Sequence, residues 1–158
     1  MAYVSLDSDQ IKKAHKKHKY SKTQVEQLEK CMDEKSGPLY FMKSFMKIQH
    51  PVKGSIPFHP FPYQERLISS YNDHRFSIAM LPRQTGKTTC ASGFLIWYAM
   101  FRPDSQILIA AHKYAGASDI MSRVRYAYEM LPSWIKAGVT QYNRNSIEFD
   151  NGSKISAT

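Results

Sequence analysis

The sequence predicts an α/β domain in which short parallel strands are covered by helices, with a helical segment before it and a β-hairpin at its end. Three observations carry this expectation. Two short apolar runs, residues 76–81 and QILIAA at 106–111, each precede a long stretch with helical spacing. Strand–helix alternation of this kind builds parallel βαβ units with helices on the sheet. After residue 139 the pattern changes to period two around Asn151-Gly152, which marks a hairpin.

Composition bounds the rest. The 158 residues suffice for one domain with its own core, and 42% hydrophobic with 13% aromatic residues excludes wholesale disorder. The formal net charge is +9. Residues 1–35 carry eight Lys against six acids, and residues 36–158 carry fourteen Lys and Arg against seven. The excess of cations therefore runs through the core region, and it favours polyanionic partners. The two cysteines, Cys31 and Cys90, have no metal-ligand spacing and cannot make a disulfide framework, which fits a reducing compartment. No signal peptide is read at the N-terminus. The longest apolar run, GFLIWYAMF at 93–101, is too short to span a bilayer.

From the N-terminus, residues 1–35 form a basic helical segment. KKAHKKHK within residues 8–19 puts Lys12, Lys13, Lys16 and Lys17 on one helical face, with Ile11, Ala14, His15 and His18 on another. Residues 21–35 form a second helix, capped by Ser21 or Thr23 with Gln24 or Glu26 three residues on, and striped by Val25, Leu28 and Met32. The second unit, residues 36–158, opens at Gly37-Pro38 with LYFMKSFMKIQ, apolar on most sides and so buried. HPVKGSIPFHPFP at 50–62 holds four prolines and a glycine, a loop or short edge hairpin. Residues 63–73 are helical, 76–81 a fully apolar strand, 86–101 helical, 106–111 a strand and 114–131 helical. Ile147 and Phe149 then alternate with Glu148 and Asp150 before Asn151-Gly152, a type I′ turn signal, and KISA returns, giving a hairpin at the sheet's edge or surface.

The chemistry lies in MLPRQTGKTT, residues 80–89. An apolar run ends at Leu81, a short polar loop comes next, and a helix opens at Gly86. Amides at a helix start have no intrahelical acceptor and sit at the positive end of the dipole, so they cradle phosphate. Gly86 lets the backbone approach closely. Lys87 reaches the β- and γ-phosphates, and Thr88 offers its hydroxyl to Mg²⁺. The motif departs from G-x-x-x-x-G-K-[ST] in one place, where Leu81 stands for the first glycine. Arg83, inside the loop, can stabilise charge on a transferring phosphoryl group or serve as a surface cation. Upstream, Tyr63 can pack beside a purine and Gln64 can read the adenine edge, or Gln64 is an ordinary residue of a helix start. His112 ends the second strand, where ligands gather in open sheets. Arg123 and Arg125 are two residues apart, about 200° around a helix, and face different ways.

An upstream Tyr63-Gln64, an apolar strand, and Arg83-Gln84-Thr85-Gly86-Lys87-Thr88-Thr89 together resemble the ATPase domain of the large terminase subunit of tailed phages, myovirus type. Residues 106–136 resemble the strand and helix after that loop in the family, and residues 147–157 resemble its next hairpin. The likeness runs from about residue 40 to the end. The resemblance implies a P-loop NTPase sheet flanked by helices and an ATPase that drives double-stranded DNA into a capsid. It implies that Tyr63 and Gln64 hold adenine. Arg83, Gln84, Thr85, Gly86, Lys87, Thr88 and Thr89 would hold ATP, with Thr88 on Mg²⁺ and Arg83 and Lys87 in catalytic roles. It further implies a homo-oligomeric ring, a capsid portal, a small terminase subunit, no membrane, and the host cytoplasm.

The family also has an acidic motif, an apolar strand ending in Asp and then Glu. None of Asp104, Asp119, Glu129, Glu148 or Asp150 comes after a run of four apolar residues. The acidic motif, the coupling motif and the nuclease domain are not read in these residues, so the sequence is expected to be the N-terminal portion of such a protein, binding ATP with little hydrolysis alone. Two other readings remain at this point: part of a helicase-like ATPase that reads adenine through an upstream Gln, and a non-enzymatic basic module that binds nucleic acid with strong salt dependence.

Overall fold

The computed structural model describes residues 10–50 and 52–158. Five helices and six strands form an α/β arrangement: α1 (Lys22–Met32), α2 (Gly37–Phe45), β1 (Lys47–His50), β2 (Gly54–Pro57), α3 (Pro62–Asp73), α4 (Lys87–Phe101), β3 (Gln106–Ile109), α5 (Tyr114–Glu129), β4 (Val139–Tyr142), β5 (Ser146–Phe149) and β6 (Lys154–Ala157).

Helix α1 starts where its caps dictate. Gln24 N–H donates to Ser21 Oγ at 3.2 Å, and Ser21 N–H donates to Gln24 Oε1 at 3.0 Å, a reciprocal capping box. The apolar segment after Gly37-Pro38 is α2, with Phe41 and Met42 buried. Gly37 itself is required, because a Cβ there would run into the Cys31 carbonyl. The proline-rich segment is indeed a hairpin, β1 pairing antiparallel with β2. Helix α4 is apolar on all sides and correspondingly buried; Cys90, Ile96, Trp97 and Ala99 have no exposed surface. Trp97 Nε1–H donates to the Cys31 carbonyl at 2.7 Å, which ties α4 to the end of α1. Gly93 lets Met42 and Met46 lie against the α4 backbone; a Cβ there would be 2.5 Å from both side chains.

Five expectations are corrected. The run at 76–81 forms no strand. It finds no ladder partner among the described residues and leaves Phe76 82%, Ile78 93% and Met80 92% exposed. Apolar composition permits a strand, but only a neighbour's backbone makes one.

The sheet is consequently not the parallel one expected around the loop. Its order is β3-β6-β5-β4, with β3/β6 parallel and β6/β5 and β5/β4 antiparallel. The terminal hairpin is likewise not at the edge. Its strands β5 and β6 are the two inner strands, with Ile147, Phe149 and Ile155 buried.

The hairpin turn is also not type I′. Gly152 has φ +83°, Asn151 does not have positive φ, and Gly152 N–H donates to the Phe149 carbonyl at 3.2 Å. That is a type I turn closed by a left-handed glycine bulge.

Finally, the basic residues within 8–19 are not helical wherever they are described; residues 8 and 9 lie outside the described residues. The chain instead meets the start of β4 through an isolated bridge. Lys13 bridges Val139 in parallel, Val139 N–H donates to the Lys12 carbonyl at 2.9 Å, and His15 N–H donates to Asp150 Oδ2 at 2.9 Å. Ile11 is buried there. Lys136 fastens the same strap from inside, its ammonium donating to the carbonyls of Gln10 at 2.6 Å and Glu129 at 2.8 Å. Burial pulls the Lys136 and Lys12 amines below the usual lysine range. A helix here would satisfy only local groups, whereas the strap takes up the Val139 N–H at the start of the edge strand β4.

Candidate phosphate-binding site

The loop between residues 81 and 87 is held by α3 rather than by a ladder strand. Gln64, at the start of α3, is buried. Its Oε1 accepts from Phe61 N–H at 2.9 Å and its Nε2 donates to the Thr85 carbonyl at 3.0 Å. Tyr63 Oη donates to the same carbonyl at 3.0 Å. The two residues expected to face adenine thus also fix the loop through one oxygen. Each bond is worth about 1 kcal/mol net, and more where its loss strands a buried group.

Two left-handed residues flank Thr85: Gln84 at φ +63° and Gly86 at φ +78°. Glycine adopts this region without penalty, whereas Gln84 pays on the order of 1 kcal/mol. Gly86 has a second reason to lack a side chain, since a Cβ would stand 2.5 Å from Gln64 Nε2. Thr85 Oγ1 donates to the Pro82 carbonyl at 3.0 Å and tightens the turn.

Helix α4 then begins, and its first backbone bond is Cys90 N–H to the Gly86 carbonyl at 2.9 Å. The amides of Lys87, Thr88 and Thr89 therefore have no helical acceptor. Lys87 Nζ folds back onto the Leu81 carbonyl at 2.5 Å and the Pro82 carbonyl at 3.1 Å, with no carboxylate in its ion pairs among the described residues. An ammonium held only by two neutral carbonyls, beside three orphan amides and the positive end of a fifteen-residue helix, is a place for an anion.

The other expected residues are spread around the loop and the core. Arg83 and Gln84 are exposed on the loop, and Thr85, Thr88 and Thr89 are half-buried. Thr89 also lines a cavity of about 530 Å³ between α4, α5 and β1, together with Ser92, whose buried hydroxyl has no partner. Cys90 and Trp97 are core, and burial pushes the Cys90 thiol up to about 11 and the Cys31 thiol up to about 12. His112 is exposed. Arg123 and Arg125 do face different ways: Arg123 Nε lies 3.7 Å from Asp119 Oδ2, while Arg125 lies over the Tyr142 ring.

Sequence reasoning missed Phe61, whose ring stacks on Tyr63 with centroids 5.9 Å apart and planes 6° from parallel while remaining 62% exposed. An aromatic two residues before Tyr63 was its only signal. It also missed that Gln84 is left-handed, for which the letters give no signal.

A family model described as "Terminase large subunit, T4likevirus-type, N-terminal" matches residues 78–158, just over half of the chain. The chain belongs to this family. The match begins within the apolar run before the loop and takes in α4, α5 and the whole four-stranded sheet, so the terminase chain carries the family's N-terminal portion and, with it, a role in DNA packaging. Among the described residues of the terminase chain no helix is long and apolar enough to cross a membrane.

Proposed function

We propose that this terminase chain binds Mg-ATP in the loop 81–89 and is the nucleotide-binding part of a motor that moves double-stranded DNA into a capsid. One observation carries the reading: the orphan amides of Lys87, Thr88 and Thr89 lie behind left-handed Gly86, next to an ammonium that only carbonyls hold. Phosphate oxygens satisfy all of these donors at once. The residues also fit a metal-bound triphosphate. Thr88 supplies a hydroxyl at the second helical position, and a bound Mg²⁺ would neutralise charge between the β- and γ-phosphates. Arg83 is exposed in the loop and long enough to follow the γ-phosphate. Tyr63 and stacked Phe61 offer an aromatic wall to the base. Gln64 keeps one N–H and one lone pair for the adenine edge beyond those given to Thr85 and Phe61. The homo-oligomeric ring, the portal and small-subunit contacts and the host-cytoplasmic setting belong to the same proposal.

Turnover by this chain alone is expected to be slight, because the acids after the loop are engaged elsewhere. Glu129 Oε1 accepts from Tyr142 Oη at 2.6 Å, Glu148 pairs with Lys154 at 2.6 Å, Asp119 faces Arg123, Asp150 accepts from His15, and Asp104 lies against Gly152. Four of these five carry partners away from the loop, and Asp104 stands at the Gly152 turn.

Isothermal calorimetry with Mg-ATP tests the reading. Binding by the wild type that Lys87→Ala abolishes, with phosphate release near background in both, is the expected result. No binding by the folded wild type refutes it and favours a basic module that binds nucleic acid without nucleotide.

A further inference from the structure

Arg125 is an arginine without a polar partner. Among the described residues it makes neither a hydrogen bond nor an ion pair, and its Nε–H is buried and unsatisfied. Leaving a buried donor of this kind unpaired is costly, so its place here asks for an acceptor. The guanidinium is held in place without being neutralised. It lies over the Tyr142 ring, 5.9 Å from the centroid, and Tyr142 is itself fixed by its 2.6 Å bond to Glu129.

Arg125 lines a cavity of about 420 Å³ between the first turns of α5 and the β4–β5 turn. Exposed Arg144 comes from that turn, while Tyr114 and Ser118 come from α5. Asn145, beside Arg144, donates to Tyr114 Oη and has its own Oδ1 buried without a partner. The one acid in the lining, Asp119, has its carboxylate beside Arg123. Ser122 spends its hydroxyl proton on the Asp119 carbonyl at 2.7 Å. The cavity thus presents two guanidiniums and the phenol and hydroxyl of Tyr114 and Ser118, with its only carboxylate already paired.

We propose that this cavity holds a backbone phosphate of double-stranded DNA, gripped by Arg125 and Arg144 and hydrogen-bonded by Ser118. Two arginines lining one cavity offer forked donors suited to phosphate oxygens, and contacts of this kind position a duplex without reading its sequence. The proposal rests on the packaging role above for the choice of duplex over a free phosphate.

The test is fluorescence anisotropy with a labelled 20-base-pair duplex of arbitrary sequence across a salt series. Wild type is compared with Arg125→Gln, Arg144→Gln and the double variant, and Lys22→Gln and Lys53→Gln serve as equal-charge controls on exposed sites. Each arginine removed is expected to flatten the log–log salt slope by about 0.9 and weaken binding about fivefold at 0.15 M salt. The controls stay within twofold, and Mg-ATP binding by calorimetry is unchanged. Arg125→Lys serves if Arg125→Gln does not fold by circular dichroism; it keeps charge and stem but loses the fork, so weaker binding with an unchanged salt slope is its expected result, and binding as tight as wild type overturns the proposal.

The proposal is overturned if the folded wild type binds ATP but no duplex, or if the arginine variants lose no more than the controls. It is overturned too if they lose ATP affinity in place of duplex affinity, which would make the phosphate a nucleotide's. Loss of ATP binding by Lys87→Ala, with duplex binding intact, reports on the loop alone, so failure of the two readings is distinguishable.

Discussion

Replacing Gln64 tests how the loop is hung. Gln64→Ala removes a buried amide that makes two bonds, to Phe61 N–H at 2.9 Å and to the Thr85 carbonyl at 3.0 Å. The first is the returning half of an N-terminal cap on α3, for which about 1 kcal/mol is typical. The second is a net hydrogen bond of about 1 kcal/mol, and the truncation also leaves a small void beside Gly86. Together they predict a loss of about 2–3 kcal/mol, which for a domain of this size lowers the melting temperature by roughly 5–10 °C. Gln64→Glu separates the parts. Its carboxylate still accepts from Phe61 N–H but repels the Thr85 carbonyl, so more stability survives while the loop is released. Urea unfolding measures the stability and calorimetry the nucleotide affinity. Both variants are expected to weaken Mg-ATP at least tenfold, and Mg-GTP with it, because the loop holds phosphate common to both. A stability change under about 0.5 kcal/mol in Gln64→Ala with unchanged affinity would refute the reasoning and leave Gln64 a bystander.

Three other outcomes rest on the same geometry. Gly86→Ala meets both a φ of +78° and a Cβ 2.5 Å from Gln64 Nε2, so it should abolish Mg-ATP binding in calorimetry while far-ultraviolet circular dichroism stays that of a folded chain. Trp97→Phe keeps most of the buried ring but leaves the Cys31 carbonyl without its 2.7 Å donor; a loss of about 1–3 kcal/mol in urea unfolding is expected, and a neutral result would mean that the carbonyl finds another donor. The Cys31 thiol is pushed up to about 12 and the Cys90 thiol up to about 11 by burial, and burial raises the Tyr128 and Tyr142 phenols as well. The unfolded chain ionises these groups first, so their contribution is whole below about pH 9 and is lost as pH rises from 9 through 12. Alkaline unfolding should begin in that window, and a thiol reagent at pH 8 should find two reactive cysteines in denaturant and almost none in the native chain.

What the sequence disclosed was local in its physics. Helix α1 was legible from Ser21 and Gln24 because a capping box is closed within four residues. Helix α5 was legible from its period and helix α4 from the length of its apolar run after the Gly86-Lys87-Thr88 start. The hairpin's strands were legible from alternation, but their place at the centre of the sheet depends on β3 more than forty residues earlier. The strap at 10–15 is the clearest loss. Its lysines keep helical spacing, yet Lys12 donates to the Lys136 carbonyl at 2.7 Å, 124 residues away. In the candidate site the Gly86-Lys87-Thr88 triplet announced itself, while the sharing of the Thr85 carbonyl between Tyr63 and Gln64 needed a fold to bring α3 there.

The apolar run at 76–81 also governs how the chain behaves in the test tube. Phe76, Ile78 and Met80 are all exposed, beside N–H and C=O groups that no ladder takes up among the described residues. Strand β3 is a second open edge, with Leu108 66% exposed. A short apolar segment of high strand propensity with unspent backbone groups is a template for cross-strand aggregation. The limit on concentrating this chain is therefore colloidal before it is thermal. Light scattering should grow with protein concentration well below the melting temperature, and Ile78→Lys, which places a charge within the apolar run, should raise the soluble ceiling without touching the loop.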